Sequence, residues 1–322
     1  MSYHIGVDLG GTKIRVALAQ AGGRVVAVHS FPTGAQYGAE TVLFTLQAGV
    51  HELLKDRCTL DKVSGLGVCA AGFYDSGSEL MVKSPNLPGW EGFPLKQKLA
   101  ELFGLPVIVE NDASAAAYGE YCFGAAQGQE NTLLLTLGTG IGGGLVLRGK
   151  LYRGNRGFAG EIGHIPMLPD GPRCGCGRYG CLEALASGTA IGREGRNLLA
   201  GNDPTLLREM VSVAAELRAE HVFKAAALGD KAAAEIIEYA SFFLGRALAM
   251  AVTILNPGIV VLSGGIAARG EEIIAPVRRH FHAAVLDLLV TDLQIMAGQL
   301  GADSGIRGIL QLVEEHLAEG GR

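Results

Sequence analysis

The stretch IGVDLGGTKIRVALA, residues 5–19, joins two apolar runs through a short glycine turn. The runs Tyr3 to Leu9 and Ile14 to Ala19 have the length and apolar character of buried strands. The stretch LLLTLGTGIGGGLVL, residues 133–147, repeats the order of strand, glycine turn and strand. Two such units predict two related α/β halves, with a cleft between them in which both glycine turns face one ligand.

The other apolar patterns predict an α/β fold with mixed sheets. Three strands that form an antiparallel beginning are followed by alternating helices and strands, an order typical of a mixed sheet flanked by helices. The predicted strands of the first half are 3–9, 14–19, 24–31, 63–70 and 105–109, and its helices are 38–55 and 94–103. The second half has predicted strands 133–137, 145–147 and 259–263 and helices 204–228 and 230–255, and a final helix is predicted over 304–318.

Composition and charge argue against several classes of partner. With 48% apolar residues, 322 residues can bury a sizeable core, while a net charge of -5 with scattered Lys and Arg argues against nucleic acid. The longest apolar helical run, Ala247 to Leu255, is stopped by Asn256 and Pro257, far short of the roughly 20 residues that a membrane span needs. No basic leader precedes the first strand, so we expect a cytoplasmic protein without a membrane partner.

The first glycine turn is a candidate phosphate site. Asp8 ends the first strand, and Gly10, Gly11 and Thr12 follow it. The backbone N–H groups and the hydroxyl of such a turn can bind phosphate beside a carboxylate that holds a metal ion. A plain hairpin explains the turn equally well.

The second glycine turn matches G-x-G-x-x-G at Gly138, Gly140 and Gly143. A dinucleotide-binding fold requires a helix after this motif, whereas the sequence continues as a strand, so that interpretation is rejected. Gly264 and Gly265 end a third strand. Three such turns indicate several places where backbone lies against a ligand.

Asn111 and Asp112 lie where an apolar strand stops and an Ala-rich helix starts. Asp112 has the position of a helix N-cap, which is the simpler interpretation. The alternative is that Asp112 is a general base and Asn111 a hydrogen-bonding clamp, because strand ends in α/β folds face the ligand crevice.

The Gly- and Pro-rich segment 161–187 contains four N/S metal ligands, a set typical of a closed tetrahedral Zn²⁺ site. They are His164, Cys174, Cys176 and Cys181. A full set of protein ligands leaves no position for an activated water, so we predict a structural ion. Glu161 and Glu183 flank the cluster, as ligand contacts or as plain surface carboxylates.

The residues taken together resemble the ROK sugar kinases and repressors, within the actin-like (ribonuclease H-like) ATPases. The motifs that carry the resemblance are DLGGTK at 8–13, SPNLPGW at 84–90, ENDASAAAYGE at 110–120, LGTGIGGG at 137–144, GEIGH at 160–164, CGCGRYGCLE at 174–183 and LSGG at 262–265. They extend over nearly the whole chain, and the cysteine segment with GEIGH upstream is highly specific.

The resemblance implies a role for each site residue. Asp112 matches the catalytic base of the family. The residues implied to bind ATP are Asp8, which also lies near Mg²⁺, Gly10, Gly11, Thr12, Lys13, Thr139, Gly140, Gly264 and Gly265. The residues implied to bind the sugar are Gly72, Asn86, Asn111, Asp112, Glu161, His164 and Glu183.

The implied activity is ATP-dependent phosphorylation of the C6 hydroxyl of a hexose, with glucose favoured because SPNLPGW, GEIGH and GCLE look most like bacterial glucokinases. Kinases of N-acetylglucosamine, N-acetylmannosamine or fructose are alternatives, and a non-catalytic sugar-binding regulator is another. The resemblance further implies a homodimer, and two actin-like domains, one of 1–113 plus 304–322 and a larger one of 114–303 with the zinc loop.

Two stretches depart from the family pattern. CAAGFYD at 69–75 replaces a Pro-Gly-Pro-like turn, and ENDAS replaces the more usual ENDAN. These departures put the sugar contact around Gly72 in doubt, but they leave Asp112 and the metal set unchanged.

Overall fold

The computed structural model describes residues 2–84 and 87–320 of the chain. The strands are β1 (Tyr3–Leu9), β2 (Lys13–Gln20), β3 (Arg24–Pro32), β4 (Val63–Ala70), β5 (Phe73–Asp75), β6 (Leu80–Lys83), β7 (Val107–Asn111), β8 (Thr132–Leu137), β9 (Ile141–Leu147), β10 (Lys150–Leu151), β11 (Ile259–Ser263) and β12 (Gln294–Ala297). The helices are α1 (Ala39–Leu54), α2 (Leu95–Phe103), α3 (Asp112–Phe123), α4 (Leu182–Ala186), α5 (Gly188–Ala200), α6 (Leu207–Met210), α7 (Ala219–Ala227), α8 (Lys231–Leu255), α9 (Gly264–Ala267), α10 (Glu271–His282) and α11 (Ser304–Ala318).

The first sheet has the strand order β3-β2-β1-β4-β7. β1 is antiparallel to β2, with Ile5 opposite Leu18, and parallel to β4, with Val7 opposite Val68. β7 is parallel to β4. Because the carboxyl ends of parallel strands meet at one edge of a sheet, the glycine turn after β1, the segment after β4 and the end of β7 share that edge.

The second sheet has the order β10-β9-β8-β11-β12, in which β11 is parallel to both β8 and β12. The glycine turn after β8 and the glycines Gly264 and Gly265, which begin α9 after β11, therefore lie at the same sheet edge. The sheet repeats the strand order of the first, with β8 in the place of β1. The predicted fold class, two related α/β halves with mixed sheets of the actin-like type, is confirmed.

The chain forms two compact units, whose limits differ from the predicted domains. The first comprises residues 1–128, 144–160 and 302–322, and the second comprises 129–143 and 161–301. Prediction placed α3 in the larger domain, but α3 packs backbone to backbone on α11. A Cβ at Gly119 would lie 2.1 Å from the Ser304 carbonyl oxygen, and one at Gly308 would lie 1.8 Å from that of Ala115. Glycine at these crossing points lets the two helices touch.

β9 begins at Ile141, four residues earlier than predicted. Gly142, Gly143 and Gly144 therefore belong to a strand and not to the turn. The reason at Gly144 is packing: a Cβ there would lie 2.5 Å from Ala117 Cβ and 2.6 Å from the Ala113 carbonyl oxygen in α3. After Gly143 the strand passes from the second unit into the first.

The single long helix predicted over 204–228 is wrong. The segment folds as α6, a 3-10 turn at Ala214–Glu216 and α7. Asp230 and Arg196 hold these pieces: the Asp230 carboxylate accepts from the Leu206 N–H at 2.7 Å, and Arg196 donates to the Leu217 carbonyl at 2.7 Å. Tertiary hydrogen bonds thus override the apolar pattern of the segment.

Among the described residues, α8 alone is long and apolar enough to cross a membrane by length and composition. Of its most apolar 18-residue window, 61% is buried inside the protein. Such burial is typical of a core helix.

Candidate active site

The first glycine turn is held by Thr33. The Gly10 N–H donates to the Lys13 carbonyl at 3.2 Å, and the Thr33 hydroxyl donates to the Gly10 carbonyl at 2.6 Å. The Thr33 N–H donates to the Thr12 carbonyl at 3.0 Å. Thr12 and Lys13 are exposed. Thr33 therefore holds the backbone of the turn in place, while the exposed side chains of Thr12 and Lys13 remain available to a ligand.

Asp8 precedes this turn and is half-buried. Burial raises the pKa of Asp8 above its usual range, and the positive charges of Arg15 and Lys13 oppose that rise. A carboxylate that has lost hydration gains most from a cation, so the position suits a divalent metal ion.

Asn111, and not Asp112, is the N-cap of α3. Its Oδ1 accepts from the N–H groups of Ala113 and Ser114 at 2.9 and 3.1 Å, and its Nδ2 donates to the Gly72 carbonyl at 3.1 Å. The simpler interpretation of Asp112 as the cap is therefore wrong, which leaves Asp112 as the first residue of the helix. Asn111 clamps two segments of backbone together.

Asp112 stays accessible to solvent, although protein atoms crowd its carboxylate. Its Oδ1 accepts from the Ala113 N–H at 2.9 Å. The loss of hydration, followed by the negative charge of Asp8, raises the pKa of Asp112 to about 6. A carboxylate with such a pKa is a better proton acceptor near neutral pH than an ordinary one.

Gly72 lies between β4 and β5 with φ 122°, a conformation that favours glycine. A Cβ there would lie 2.7 Å from the Lys83 carbonyl oxygen. Its carbonyl is the acceptor for Asn111. In this chain CAAGFYD thus keeps a glycine whose carbonyl holds the end of β7 next to Asp112. The predicted sugar contact Asn86 lies outside the described residues.

The four predicted metal ligands lie together in the second unit. Their ligand atoms are all within 4.8 Å of one another. Cys176 Sγ is 3.7 Å from Cys181 Sγ, and His164 Nδ1 is 3.6 Å from Cys174 Sγ. Tetrahedral Zn²⁺ with ordinary bond lengths requires about 3.8 Å between two sulfurs and about 3.6 Å between nitrogen and sulfur. The side chains fit a zinc ion.

The loop that carries these ligands depends on its glycines. Gly180 has φ 65°, and a Cβ there would lie 1.6 Å from the Leu168 carbonyl oxygen. A Cβ at Gly163 would lie 2.0 Å from the Ile141 carbonyl oxygen. Gly163 therefore lets the loop pack directly on the first residue of β9, which follows the second glycine turn.

His164 and Glu183 each face two ways. Nδ1 of His164 faces the cysteines, while its Nε2 lies 3.9 Å from Glu161 Oε2. Glu183 Oε2 accepts from the Ile141 N–H at 3.0 Å, and its Oε1 lies 3.5 Å from Cys174 Sγ. Glu183 thus connects the cluster of candidate metal ligands to the start of β9, directly after the second glycine turn.

A cavity of about 570 Å³ opens beside the second and third glycine turns, a volume in the range of small-molecule sites. Its lining includes Thr139, Thr189, Gly265, Arg196, Arg269 and Phe223. Gly264 has φ 92°, and a Cβ there would lie 2.6 Å from the Leu137 carbonyl oxygen, so the two turns approach closely. The cavity suits a nucleotide whose phosphates lie on the turns.

Sequence reasoning missed part of this cavity. The Gly188 N–H donates to the Gly138 carbonyl at 2.8 Å, and the Thr189 hydroxyl donates to the Thr139 carbonyl at 2.8 Å. Ser187 caps α5 by accepting from the Ala190 N–H. The sequence offered one sign of this part of the cavity: Ser187, because serine is a favoured N-cap and so predicts the start of α5 at this point.

Comparison with known proteins agrees with the motifs and the geometry. The ROK family model matches residues 4–316. The chain belongs to the ROK family. It is 36% identical over 315 residues to a glucokinase of Halalkalibacterium halodurans, covering 97% of this chain and 95% of that protein. It is 35% identical over 305 residues to an N-acetylmannosamine kinase of Escherichia coli, covering 92% and 96%.

A solved ROK structure has the same fold. It is a ROK family glucokinase from Streptomyces griseus in complex with glucose and AMPPNP, with a TM-score of 0.85 and 34% identity, covering 98% of this chain and 100% of that chain. The agreement between this chain and the ROK family therefore covers the whole fold as well as the short sequence motifs.

We predict that the purified protein carries one zinc ion per chain and that Cys176→Ser loses it, because three protein ligands no longer close a tetrahedral site. The loop 161–183 should then become sensitive to protease. Metal content by plasma emission spectrometry and limited proteolysis measure both effects. The control Cys58→Ser, outside the cluster, should keep its zinc. A metal-free wild type with a protease-resistant loop would refute the site.

Proposed function

We propose that the protein transfers the γ-phosphate of ATP to the C6 hydroxyl of a hexose, with Asp112 as the general base. The observation that carries this proposal is the carboxylate of Asp112, at a strand end, with its pKa raised to about 6. It accepts the proton of the C6 hydroxyl as the hydroxyl oxygen attacks the γ-phosphorus and the bond to the ADP oxygen breaks.

The glycine turns bind the phosphates through their backbone N–H groups in this proposal. The residues assigned to ATP are Asp8, Gly10, Gly11, Thr12, Lys13, Thr139, Gly140, Gly264 and Gly265. Asp8 holds Mg²⁺, which neutralises charge on the phosphates when it is bound. Phosphoryl transfer depends mostly on position and charge neutralisation, which fixed backbone turns provide.

The sugar is bound by carboxylate, amide and imidazole groups. We assign Gly72, Asn86, Asn111, Asp112, Glu161, His164 and Glu183 to this role. Carboxylates and amides suit a polyol because each can accept hydrogen bonds from hydroxyls, and a substrate that lacks those hydroxyls leaves them unpaired at high cost.

Zinc is structural in this proposal. Four protein ligands fill a tetrahedral site, so the ion fixes the loop and takes no part in the reaction. Because His164 and Glu183 each face the cluster with one atom, the ion also orients the second nitrogen of His164 and the carboxylate of Glu183. The cytoplasm, where thiols stay reduced, is the compartment we propose for such a site.

Glucose is the favoured sugar because of the glucokinase relatives, and N-acetylmannosamine is the second candidate because a kinase of that sugar is 35% identical. An ADP-release assay over glucose, mannose, fructose, N-acetylglucosamine and N-acetylmannosamine separates them. We expect the highest kcat/KM with glucose. A higher value with N-acetylmannosamine would move the assignment to that sugar, and sugar binding without turnover would indicate a regulator.

We predict that kcat/KM falls as pH drops through about 6, because the protonated form of Asp112 cannot accept a proton. A cation at Asp8 removes part of the repulsion and moves this step to lower pH. Asp112→Asn should lower kcat by about 10²- to 10⁴-fold and abolish the step.

Initial rates from pH 5 to 8, with the zinc content and unfolding temperature of both proteins, test this assignment. Asp56→Asn, at an exposed aspartate outside the proposed site, is the control and should keep wild-type rates. Unchanged turnover in Asp112→Asn would exclude Asp112 as the base.

We also propose that the protein is a homodimer that buries one face of α8. Tyr239, Phe242, Met250 and Ile254 follow one another at helical spacing on α8 and are all exposed, Ile254 by 81%. The exposed Arg246 lies between Phe242 and Met250 on this face, 5.4 Å from the centre of the Phe242 ring. Several exposed apolar side chains on one helix face of a folded protein are typical of an interface. The family resemblance supports a second copy as the partner.

We predict that Ile254→Glu converts the dimer to a monomer, because each copy would bury an unpaired charge at its most exposed apolar position on this face. Light scattering coupled to gel filtration measures the mass. Phe44→Glu, at a residue 72% exposed on α1, is the control and should leave the dimer intact. A wild-type mass equal to 33.5 kDa would contradict the proposal.

A further inference from the structure

Glu110 is a buried carboxylate next to the proposed base that has no role in the sites described above. Its side chain is 5% exposed. Oε1 accepts from the Asn111 N–H at 3.0 Å, and Oε2 accepts from Arg153 Nε at 2.6 Å. A buried charge is tolerated when it is paired in this way. Both carboxylate oxygens of Glu110 therefore accept a hydrogen bond, one from Asn111 and one from Arg153.

The Asn111 N–H needs a partner because β7 is the edge strand of the first sheet. The Leu66 N–H donates to the Pro106 carbonyl, so the backbone groups of residues 106, 108 and 110 point towards β4. By the same alternation the Asn111 N–H points away from the sheet. Glu110 supplies the acceptor that the missing neighbouring strand would have supplied.

We propose that Glu110 and Arg153 are a positioning pair that holds the Asn111 peptide and, through it, the carboxylate of Asp112; this rests on the function proposed above. Asn111 caps α3 and donates to the Gly72 carbonyl. A tilt of its peptide therefore moves the first turn of α3, which begins with Asp112. A displacement of about 1 Å at a reacting group can lower the rate about 100-fold.

The competing explanation is that Arg153 only fastens the segment 144–160 to the rest of its unit. Arg156 provides the matched comparison. It comes from the same segment and pairs with Asp75, a carboxylate 1% exposed that also accepts from Ser78 Oγ at 2.8 Å. That ion pair holds the pKa of Asp75 well below its usual range. Asp75 accepts its hydrogen bonds from Gly77, Ser78 and Arg156, and not from Asn111.

The experiment compares Arg153→Met with Arg156→Met at a temperature where both are folded. We expect Arg153→Met to lower kcat about 10- to 100-fold with the KM for ATP unchanged, because Glu110 becomes an unpaired buried charge and leaves Asn111. Arg156→Met should lower the unfolding temperature and keep kcat within about threefold of wild type.

A second variant keeps the test decisive if Arg153→Met folds poorly. Glu110→Gln combined with Arg153→Met removes the unpaired charge, while the amide oxygen still accepts from the Asn111 N–H. This double variant should recover most of the lost kcat. Arg153→Lys keeps the positive charge but lacks the planar guanidinium group, so its kcat should lie between those of the wild type and Arg153→Met.

Two results would overturn the inference in an active wild type. One is an equal loss of kcat in Arg153→Met and Arg156→Met, and the other is a double variant no faster than Arg153→Met. A wild type that phosphorylates none of the five sugars would refute the proposed function itself, and the positioning role with it.

Discussion

The parallel pairing of β1, β4 and β7 is the constraint on which the proposed active site depends. It brings three strand ends to one edge of the first sheet, although they are about 60 and 40 residues apart in the chain. Asp8 enters the edge from β1, Gly72 follows β4, and Asn111 ends β7. The hydrogen bond from Asn111 to the Gly72 carbonyl then fixes two of these ends to each other.

The same edge brings two carboxylates into one electrostatic environment. The charge of Asp8 is one of the causes that raise the pKa of Asp112 to about 6, and loss of hydration is the larger one. Placing the Asp8 and Asp112 carboxylates close together lowers the stability of the fold, because repulsion between like charges opposes the ionised state of each. This loss of stability is consistent with a catalytic function, because a proton acceptor works best with a pKa near the working pH.

A segment without regular secondary structure needs other contacts to hold it in place, and the loop 161–183 of the second unit has them. Gly163 and Glu183 hold the loop against the backbone of Ile141, and the ligand atoms of His164, Cys174, Cys176 and Cys181 lie within 4.8 Å of one another in the same loop. The loop therefore stabilises the second glycine turn as well as itself. In the first unit the buried Glu110, paired with the partly exposed Arg153, holds the backbone of Asn111 in a comparable way.

The sequence by itself determined the strands of the first sheet, the four side chains that could hold a metal ion, and the family, because apolar period, turn glycines and the spacing of Cys and His are local properties of the chain. Only the tertiary structure decided that Asn111 caps α3, that 204–228 breaks into short pieces, and that Glu183 reaches Ile141. These depend on which distant backbone groups come within hydrogen-bonding reach, and no local pattern contains that information.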